Sequence, residues 1–404
     1  MRLVLTANGP GEVAGWVRPL LQRLYERAPE SEVHVFIVPD EYATGAEAQT
    51  VRTLFPQAHV YDPKRYVAIA LGTRGDDLPS GADVVQYLGG DLMHAARLHR
   101  RFGGAATTYK FSRRAYRRLF ARAFAVDERN AERLRADGTP PERVLIVGNL
   151  AIDGALIEAQ AEVELGAPRD GVLVMPGSRG YEIDNMVPFF FTMALRMLRE
   201  RPELPIAFGI SPFTTNAQLR AAIERGGDPR VWSKRGRLIE EGERTYLASL
   251  DASRRIPVLR HALAAARTAR LAVTMPGTKV IELAALGVPT IAITPLNAAE
   301  LVTFNGPLTY LDRIPGIGRL LKRAVAVSVS RRHALHTQPN IDLGEMVVHE
   351  LHGTLTPGRV ARVALARYED RAWLEVTAAR LKPLYARHAG AADRMAKSLL
   401  ELAS

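Results

Sequence analysis

The chain contains 404 residues, carries a formal net charge of +11 and has no cysteine. Its length predicts two domains of roughly 150 to 200 residues each, and the missing cysteines exclude disulfides, thiolate catalysis and cysteine-bound metals. No apolar run approaches the ~20 residues that cross a bilayer, and the first residues have the pattern of a strand and not of a signal peptide, so we expect a cytoplasmic protein.

Apolar, β-branched runs alternate with helix-length segments along most of the chain. This alternation predicts an α/β fold with two Rossmann-like halves, each built on a doubly wound parallel sheet. From about residue 356 onward the pattern is helical, without a strand. The predicted strands cover residues 3–7, 33–38, 84–89, 105–109, 122–126 and 144–148 in the first half, and 171–176, 204–210, 270–276, 289–294 and 324–329 in the second.

The first predicted strand ends in a turn of small residues, NGPGE, which contains Asn8, Gly9, Gly11 and Glu12. In an open α/β sheet, ligands bind beyond the carboxyl ends of the strands. Glycines at this place either let a substrate approach the backbone closely or only make a tight turn into a helix. The turn is therefore a candidate site, with Glu12 as its ionisable group.

The segment YLGGDLMH places Asp91 directly after another predicted strand. A carboxylate there is either a general base facing an acceptor hydroxyl or the N-cap of the following helix. His94 follows one turn later and is expected to pack and not to catalyse. Because the ten histidines show no ligand spacing, we expect no protein-bound metal.

The second half contains two further glycine turns that follow predicted strands. In MPGSRGYEI, Gly177, Ser178 and Arg179 offer backbone amides and a guanidinium, which suit a diphosphate, and Glu182 follows closely. In MPGTKVIE, Gly277 and Thr278 offer further amides, and Glu282 is placed to accept from a ribose diol. The two turns together predict a nucleotide site that is neither a dinucleotide fingerprint nor a P-loop.

Two basic segments and one polar segment complete the candidates. Arginines alternate with aromatic residues in YKFSRRAYRRLFARAF, residues 109–124, which on a helix is either a membrane-surface segment or an ordinary amphipathic helix. Residues 308–323 form either a loop over a membrane or cleft, or a plain connection. Residues 336–357 have the pattern of a loop followed by an amphipathic helix, with Asn340 and Glu350 ten residues apart.

Six segments occur in the order found in one enzyme family: GPGEVAG, LGGD, VGNLAID, MPGSRGYEI, MPGTKVIELAALGVPTIAI and QPNIDLGEMVVHELHGTLTP. Together they resemble lipid-A-disaccharide synthase, an inverting glycosyltransferase of the GT-B architecture, or a divergent relative of it. Trp16 and Asn149 stand where the family has aspartate and histidine.

The resemblance implies two Rossmann-like domains that face a cleft. Residues 1–165 would bind the acceptor and residues 166–365 the UDP-sugar, with C-terminal helices within 366–404 crossing back to the first domain. The implied base is Asp91 or Glu12. The resemblance places Asn8, Gly9 and Gly11 on the acceptor side and assigns the donor to Gly177, Ser178, Arg179, Glu182, Gly277, Thr278, Glu282 and Asn340.

The implied reaction is metal-independent transfer of an acylated glucosamine-type sugar from UDP to a lipid-linked or acylated sugar phosphate. It needs no cofactor and would take place in the cytoplasm or on the inner face of the cell membrane, in peripheral contact with anionic lipid. The alternative is another UDP-sugar GT-B enzyme, such as a UDP-GlcNAc 2-epimerase. No specific nucleic-acid partner is expected, because no zinc-finger, homeodomain or RNP signature occurs. The protein is a monomer or a homodimer.

Overall fold

The computed structural model describes residues 1–40, 45–180, 182–297 and 335–404. The chain forms two compact units, the first made of Met1–Ile157 with Ala386–Ser404 and the second of Glu158–Tyr385. The end of the chain is therefore part of the first unit, whereas residues 366–385 belong to the second. The predicted strand 324–329 and the segment 308–323 lie outside the described residues.

The first unit contains a seven-stranded sheet in which all neighbouring strands are parallel, in the order β3-β2-β1-β4-β5-β6-β7. The strand order reverses between β1 and β4, which is the point where open α/β sheets bind ligands. The six strands predicted for this half are confirmed, and β3 was missed. The strands are β1 (Arg2–Ala7), β2 (Glu32–Ile37), β3 (His59–Tyr61), β4 (Val84–Tyr87), β5 (Ala105–Tyr109), β6 (Arg122–Ala125) and β7 (Val144–Ile146).

Helices connect these strands, and several begin at residues that the sequence marks as caps. Asp62, Asp91 and Asp127 each accept a hydrogen bond from a backbone amide in the first turn of the following helix. A π-helical turn, Val13–Val17, joins the first two helices. The helices are α1 (Pro10–Glu12), α2 (Arg18–Arg27), α3 (Glu47–Leu54), α4 (Pro63–Ala70), α5 (Leu92–Phe102), α6 (Glu128–Ala136) and α7 (Leu150–Ala159).

The second unit contains an eight-stranded sheet in the order β10-β11-β12-β9-β8-β13-β14-β15. Its strands are parallel except for the antiparallel pairs β10–β11 and β11–β12 at one edge. The strand order changes direction between β8 and β13, as it does between β1 and β4. The strands are β8 (Val172–Met175), β9 (Ile206–Gly209), β10 (Arg237–Glu241), β11 (Arg244–Ala248), β12 (Arg255–Leu259), β13 (Leu271–Thr274), β14 (Thr290–Pro295) and β15 (His349–Gly353).

The largest hydrophobic core lies in the second unit, where alternate residues of the central strands face two long helices. Phe189, Phe190 and Phe191 are fully buried in the first of these helices. From residue 357 onward the chain is helical, as predicted. The helices are α8 (Val187–Glu200), α9 (Asn216–Arg225), α10 (Ala262–Ala266), α11 (Thr278–Ala285), α12 (Gln338–Leu343), α13 (Pro357–Glu369), α14 (Arg371–Ala386) and α15 (Ala391–Ala403).

Two helices predicted from the sequence are wrong. Residues 109–124 contain the end of β5, a short 3-10 turn at Arg114–Tyr116 and the start of β6. Two aromatic residues of this segment, Tyr109 and Phe124, enter the core from the strands, since neither has exposed surface. Residues 336–357 contain α12 and β15 and not an amphipathic helix, because β15 pairs with β14 in the sheet.

The last helix is attached to the first unit by one buried carboxylate. Asp153, which is 8% exposed, accepts hydrogen bonds from Gly390 N at 2.7 Å and from Ala392 N at 2.6 Å. These amides belong to the residues at the start of α15. Arg394 adds a hydrogen bond from Nε to Val147 O at 2.7 Å. The segment VGNLAID thus provides hydrogen bonds that hold the start of α15 in the first unit.

Within the described residues, no helix combines the length and the apolar character that a membrane span requires.

The environment of His349 on β15 predicts that the protein loses stability in acid. Arg367 Nε donates to His349 Nδ1 at 3.2 Å, so this nitrogen must be unprotonated. Desolvation and the Arg367 charge lower the pKa of His349 below the value of about 6.5 expected in the unfolded chain. As the pH falls below that value, the unfolded chain takes up the proton first, and the free energy of unfolding decreases.

We expect His349→Gln to reduce the dependence of stability on pH between about 7 and 5, because only the wild-type side chain titrates there. Urea unfolding at several pH values measures this slope. His261→Gln is the matched control, because it makes the same substitution at an exposed histidine. A His349→Gln slope equal to that of the wild type would contradict the assignment.

Candidate functional site

In the first unit, polar side chains gather where β1 and β2 end. Asn8 follows β1, and its Nδ2 donates to Asp40 Oδ2 at 2.9 Å. Asn8 Oδ1 is buried and accepts no hydrogen bond from the described residues. A Cβ atom at Gly89, which follows β4, would lie 2.1 Å from this oxygen. Gly89 is therefore required for β1 and β4 to bring their ends together at the switch point.

Two carboxylates approach the backbone of Gly9. A Cβ atom at Gly9 would lie 2.9 Å from Glu12 Oε2 and 3.3 Å from Asp40 Oδ2. Both contacts are with the ends of flexible side chains, so a side chain at this position would have to push the two carboxylates aside. Gly11 has no atom within 4 Å of its Cβ position among the described residues and is exposed, so packing in this unit does not account for it.

Asp91 occupies the end of β4 as the N-cap of α5. Its Oδ1 accepts from Met93 N at 2.9 Å, and its Oδ2 lies 2.9 Å from Arg113 Nη1. The side chain of Asp91 is 39% exposed, so a substrate can still reach it. Asp91 is therefore the N-cap that the sequence suggested, and its role as a general base stays a prediction.

Electrostatics connect these groups with residues that the sequence analysis did not assign to the site. Burial raises the pKa of Tyr87, and the charges of Glu12 and Asp91 raise it further. Desolvation lowers the pKa of Lys110, whereas Asp127 and Glu12 oppose this shift. Asp40, Lys110 and Arg113 each follow a strand, which is the signal that could have identified them.

In the second unit, the two predicted glycine turns are neighbours. We call Pro176–Arg179 the first corner and Pro276–Thr278 the second corner. They follow β8 and β13, which pair in parallel with Met175 opposite Thr274. Thr274 Oγ1 also donates to Met175 O at 2.8 Å. The sheet thus brings together two turns that are about a hundred residues apart in the sequence.

The first corner binds a carboxylate of its own chain. Glu182 Oε2 accepts from Ser178 N at 2.7 Å and from Arg179 N at 2.9 Å. A Cβ atom at Gly177, whose φ is +104°, would lie 2.2 Å from the same oxygen. The glycine lets Glu182 fold back onto the turn, and the carboxylate takes the amides that were predicted to hold a phosphate. A diphosphate at this corner would have to displace Glu182.

The second corner leaves its amides available. Thr278 is the first residue of α11, and Gly277, the N-cap, has no side chain that accepts a hydrogen bond. Gly277 and Thr278 are both exposed. Thr278 N has no acceptor among the described residues, so the first turn of α11 presents its amides and the positive end of its dipole to an anion.

An ion pair with a buried carboxylate lies on the same helix. Glu282 is 6% exposed, and its Oε2 lies 2.7 Å from Lys279 Nζ. Burial raises the pKa of Glu282, although the charge of Lys279 opposes this shift. Desolvation acts to lower the pKa of Lys279, but the charges of Glu282 and Glu158 leave it above its ordinary value. A ribose diol would therefore meet a carboxylate that already binds Lys279.

Asn340 does not offer its side chain to a ligand. It is fully buried at the third position of α12, where its Nδ2 donates to Val348 O and Glu350 Oε1 and its Oδ1 accepts from Val347 N and Val348 N. Glu350 also accepts from His336 N and Thr337 N. The predicted direct contact between Asn340 and the donor is therefore not retained, because all its polar atoms join α12 to β15.

No protein-family model matches the chain, and no curated protein matches it. Solved structures do share its fold. The S. aureus MnaA structure with UDP is 14% identical, with 99% of this chain and 97% of that chain covered and a TM-score of 0.60. The UDP-GlcNAc 2-epimerase from Neisseria meningitidis, bound to UDP-GlcNAc, is 13% identical, with 99% and 100% covered and a TM-score of 0.58.

CalG4, the calicheamicin glycosyltransferase, is 16% identical, with 100% of this chain and 98% of that chain covered and a TM-score of 0.52. At such identities the likeness concerns the fold alone. It extends over nearly the whole of each chain. The predicted α/β fold with two Rossmann-like units, that of the GT-B enzymes, is thereby confirmed.

Proposed function

We propose that this protein is an enzyme that acts on a UDP-sugar and binds the diphosphate at the second corner, against the first turn of α11. The observation that carries the proposal is the pairing of β8 with β13, which puts two glycine corners side by side where the strand order changes direction. It is supported by the shared fold with structures whose names include UDP and UDP-GlcNAc.

The second corner is the better anchor of the two because its amides have no acceptor from the described part of the chain. Arg179, one residue beyond Ser178 in the first corner, would add a guanidinium to the same anion. Glu182 keeps the first corner in shape while the diphosphate lies against α11. No metal is needed in this arrangement, since backbone amides and a cation neutralise the diphosphate.

Measuring UDP binding after one backbone N–H has been removed tests the second corner. Thr278→Pro deletes the N–H at the first helical position, where proline is well tolerated, and Thr278→Ala keeps that N–H as the matched control. We expect Thr278→Pro to weaken UDP binding roughly tenfold or more, the equivalent of one charge-assisted hydrogen bond. Thr278→Ala and the wild type should bind alike in calorimetry. Equal affinity of both variants, or no UDP binding by the wild type, would refute the proposal.

Of two candidate reactions, the comparisons support epimerisation at C2 of UDP-GlcNAc better than transfer of the sugar to an acceptor. Solved structures with this fold include UDP-GlcNAc 2-epimerases. The reaction removes the C2 proton and returns a proton to the opposite face, so the composition of the substrate does not change. A carboxylate or histidine near the sugar would carry the proton, and Glu12, Asp40 and Asp91 are the carboxylates at the ends of β1, β2 and β4.

Transfer of the sugar to an acceptor is the second candidate. CalG4 shares the fold, and the six sequence segments resemble an inverting transferase. Asp91 or Glu12 would then deprotonate the acceptor hydroxyl. A lipid-linked acceptor and contact with anionic membrane remain predictions that come from the resemblance and from the basic segment 109–124.

Incubation with UDP-GlcNAc in deuterated water separates the two reactions. An epimerase produces the C2 epimer and introduces deuterium at C2, which NMR detects without any acceptor. A transferase leaves C2 unlabelled and releases UDP only when an acceptor is supplied. Deuterium at C2 would therefore exclude pure transfer, and UDP-GlcNAc that binds without exchange of its C2 proton would exclude epimerisation of this sugar.

A further inference from the structure

Two histidines and a glutamate meet on one face of the first sheet, away from the carboxyl ends of its strands. His34 on β2 lies opposite His59 on β3 in the strand register, and their rings stack with centroids 4.6 Å apart. Glu32 lies two residues before His34 and therefore on the same face of β2. One ligand atom of each residue lies within 4.8 Å of the others.

The hydrogen bonds around His34 determine where its proton lies. Tyr61 Oη donates its only hydrogen to Asp77 O. His34 Nδ1 lies 2.9 Å from the same Tyr61 oxygen, so this nitrogen must be the donor. A neutral ring then has a lone pair on Nε2, and this nitrogen lies 2.8 Å from Glu32 Oε1. Two lone pairs face each other unless a cation or an additional proton lies between them.

We propose that Glu32, His34 and His59 form a binding site for a divalent transition metal, with Zn²⁺ as the ion that this ligand set favours. Two imidazole nitrogens and one carboxylate oxygen are the ligands of three-residue zinc sites, whose fourth position is taken by water. The metal would accept the lone pairs of His34 Nε2 and Glu32 Oε1 and would remove their repulsion.

The surroundings of His34 support a metal ligand. A ligating histidine usually donates its other nitrogen to an oxygen, which fixes its tautomer, and the Tyr61 oxygen takes this role here. His34 is 2% exposed and cannot turn, whereas His59 is exposed, so its ring can rotate from the stack toward the other two atoms. Arg2 Nε holds Glu32 Oε2 at 2.7 Å and leaves Oε1 for the metal.

The alternative is an additional proton that makes His34 an imidazolium paired with Glu32. This proton would put a positive charge on a ring that is 2% exposed and stacked against His59. The proton and a metal would occupy the same place between His34 Nε2 and Glu32 Oε1, so that one excludes the other and a zinc titration distinguishes them.

Zinc titration of the full chain, with any histidine tag removed, tests the site. In competition with a chromophoric chelator at pH 7.5, we expect one equivalent of Zn²⁺ to bind to the wild type. His59→Ala removes an exposed ligand without disturbing the core and should weaken binding at least about tenfold, as losses around metal sites do. His34→Gln should abolish it. His352→Ala, which removes another exposed histidine, is the matched control and should bind like the wild type.

Cobalt provides a second readout, because Co²⁺ in a four-coordinate site absorbs strongly in the visible range. We expect this absorption in the wild type and in His352→Ala and not in His59→Ala. Equal binding of Zn²⁺ by the wild type and His59→Ala would overturn the proposal. A wild type that binds no Zn²⁺ would also overturn it, and NMR that shows His34 protonated on both nitrogens at pH 7.5 would then assign the place between His34 and Glu32 to a proton.

Discussion

Replacing Asn340 by alanine is expected to lower the free energy of unfolding by roughly 3 to 5 kcal/mol, because several buried polar groups lose their partners at once. The side chain makes four hydrogen bonds, all between 2.6 and 2.8 Å, and has no exposed surface. Alanine would leave Val347 N, Val348 N and Val348 O without these bonds. The hydrogen-bonded contact between α12 and the segment that leads into β15 should therefore weaken first.

Denaturant unfolding of the full chain measures the loss, and hydrogen exchange of peptides from residues 338–352 locates it. Gln338→Ala is the matched control, since Gln338 lies on the same helix and donates only to the exposed Asp342. We expect that control to change stability by less than about 0.5 kcal/mol. An Asn340→Ala protein of normal stability that had lost only its UDP affinity would contradict this assignment and restore a direct contact with the donor.

Replacing Asp153 by alanine should loosen the start of α15 from the first unit and cost roughly 2 to 4 kcal/mol, since one buried and one part-buried amide lose a charged acceptor. Desolvation raises the pKa of Asp153, although the amides of Ala392 and Gly390 oppose this shift, so burial already offsets part of what the carboxylate contributes. The stability of Asp153→Asn should lie between those of the alanine variant and the wild type. The asparagine keeps one oxygen that accepts from one N–H, but its NH2 group faces the other N–H, and two donors cannot bond to each other.

Limited proteolysis measures the release of residues 387–404, and denaturant unfolding measures its free energy. Asp393→Ala is the control on the same helix, because Asp393 pairs with Arg27 on the surface, with 45% of its side chain exposed. Exposed pairs contribute about 0 to 1 kcal/mol. If both variants released α15 equally, the buried carboxylate would not be the anchor.

The parts of the fold that the sequence predicted are those with a strong local pattern. Ten of the eleven predicted strands are present in the described residues, since short β-branched runs form buried parallel strands wherever the helices cover both faces. The strands β10 and β11 were missed although a local signal for them existed. That signal is Gly242, which has a φ of +60° and joins the two strands in a tight turn.

The candidate site was only partly predictable. The glycine corners could be selected because a glycine directly after a strand usually marks a tight turn or a close approach of the backbone, but their neighbours could not. Glu182 looked like a ligand residue and caps its own turn, whereas Asn340 looked like a donor contact and is a buried connector. Neither role has a signature in the spacing, because both depend on which way a side chain turns once its helix is docked.

The sequence by itself determined the class of the fold, the positions of most strands and the two glycine turns of the second half, because propensity, apolar patterning and turn chemistry act between near neighbours. Only the tertiary structure decided the order of the strands, and with it the pairing of β8 with β13 and of His34 with His59. Strand register joins residues far apart in the chain, and no local pattern encodes which strand lies beside which.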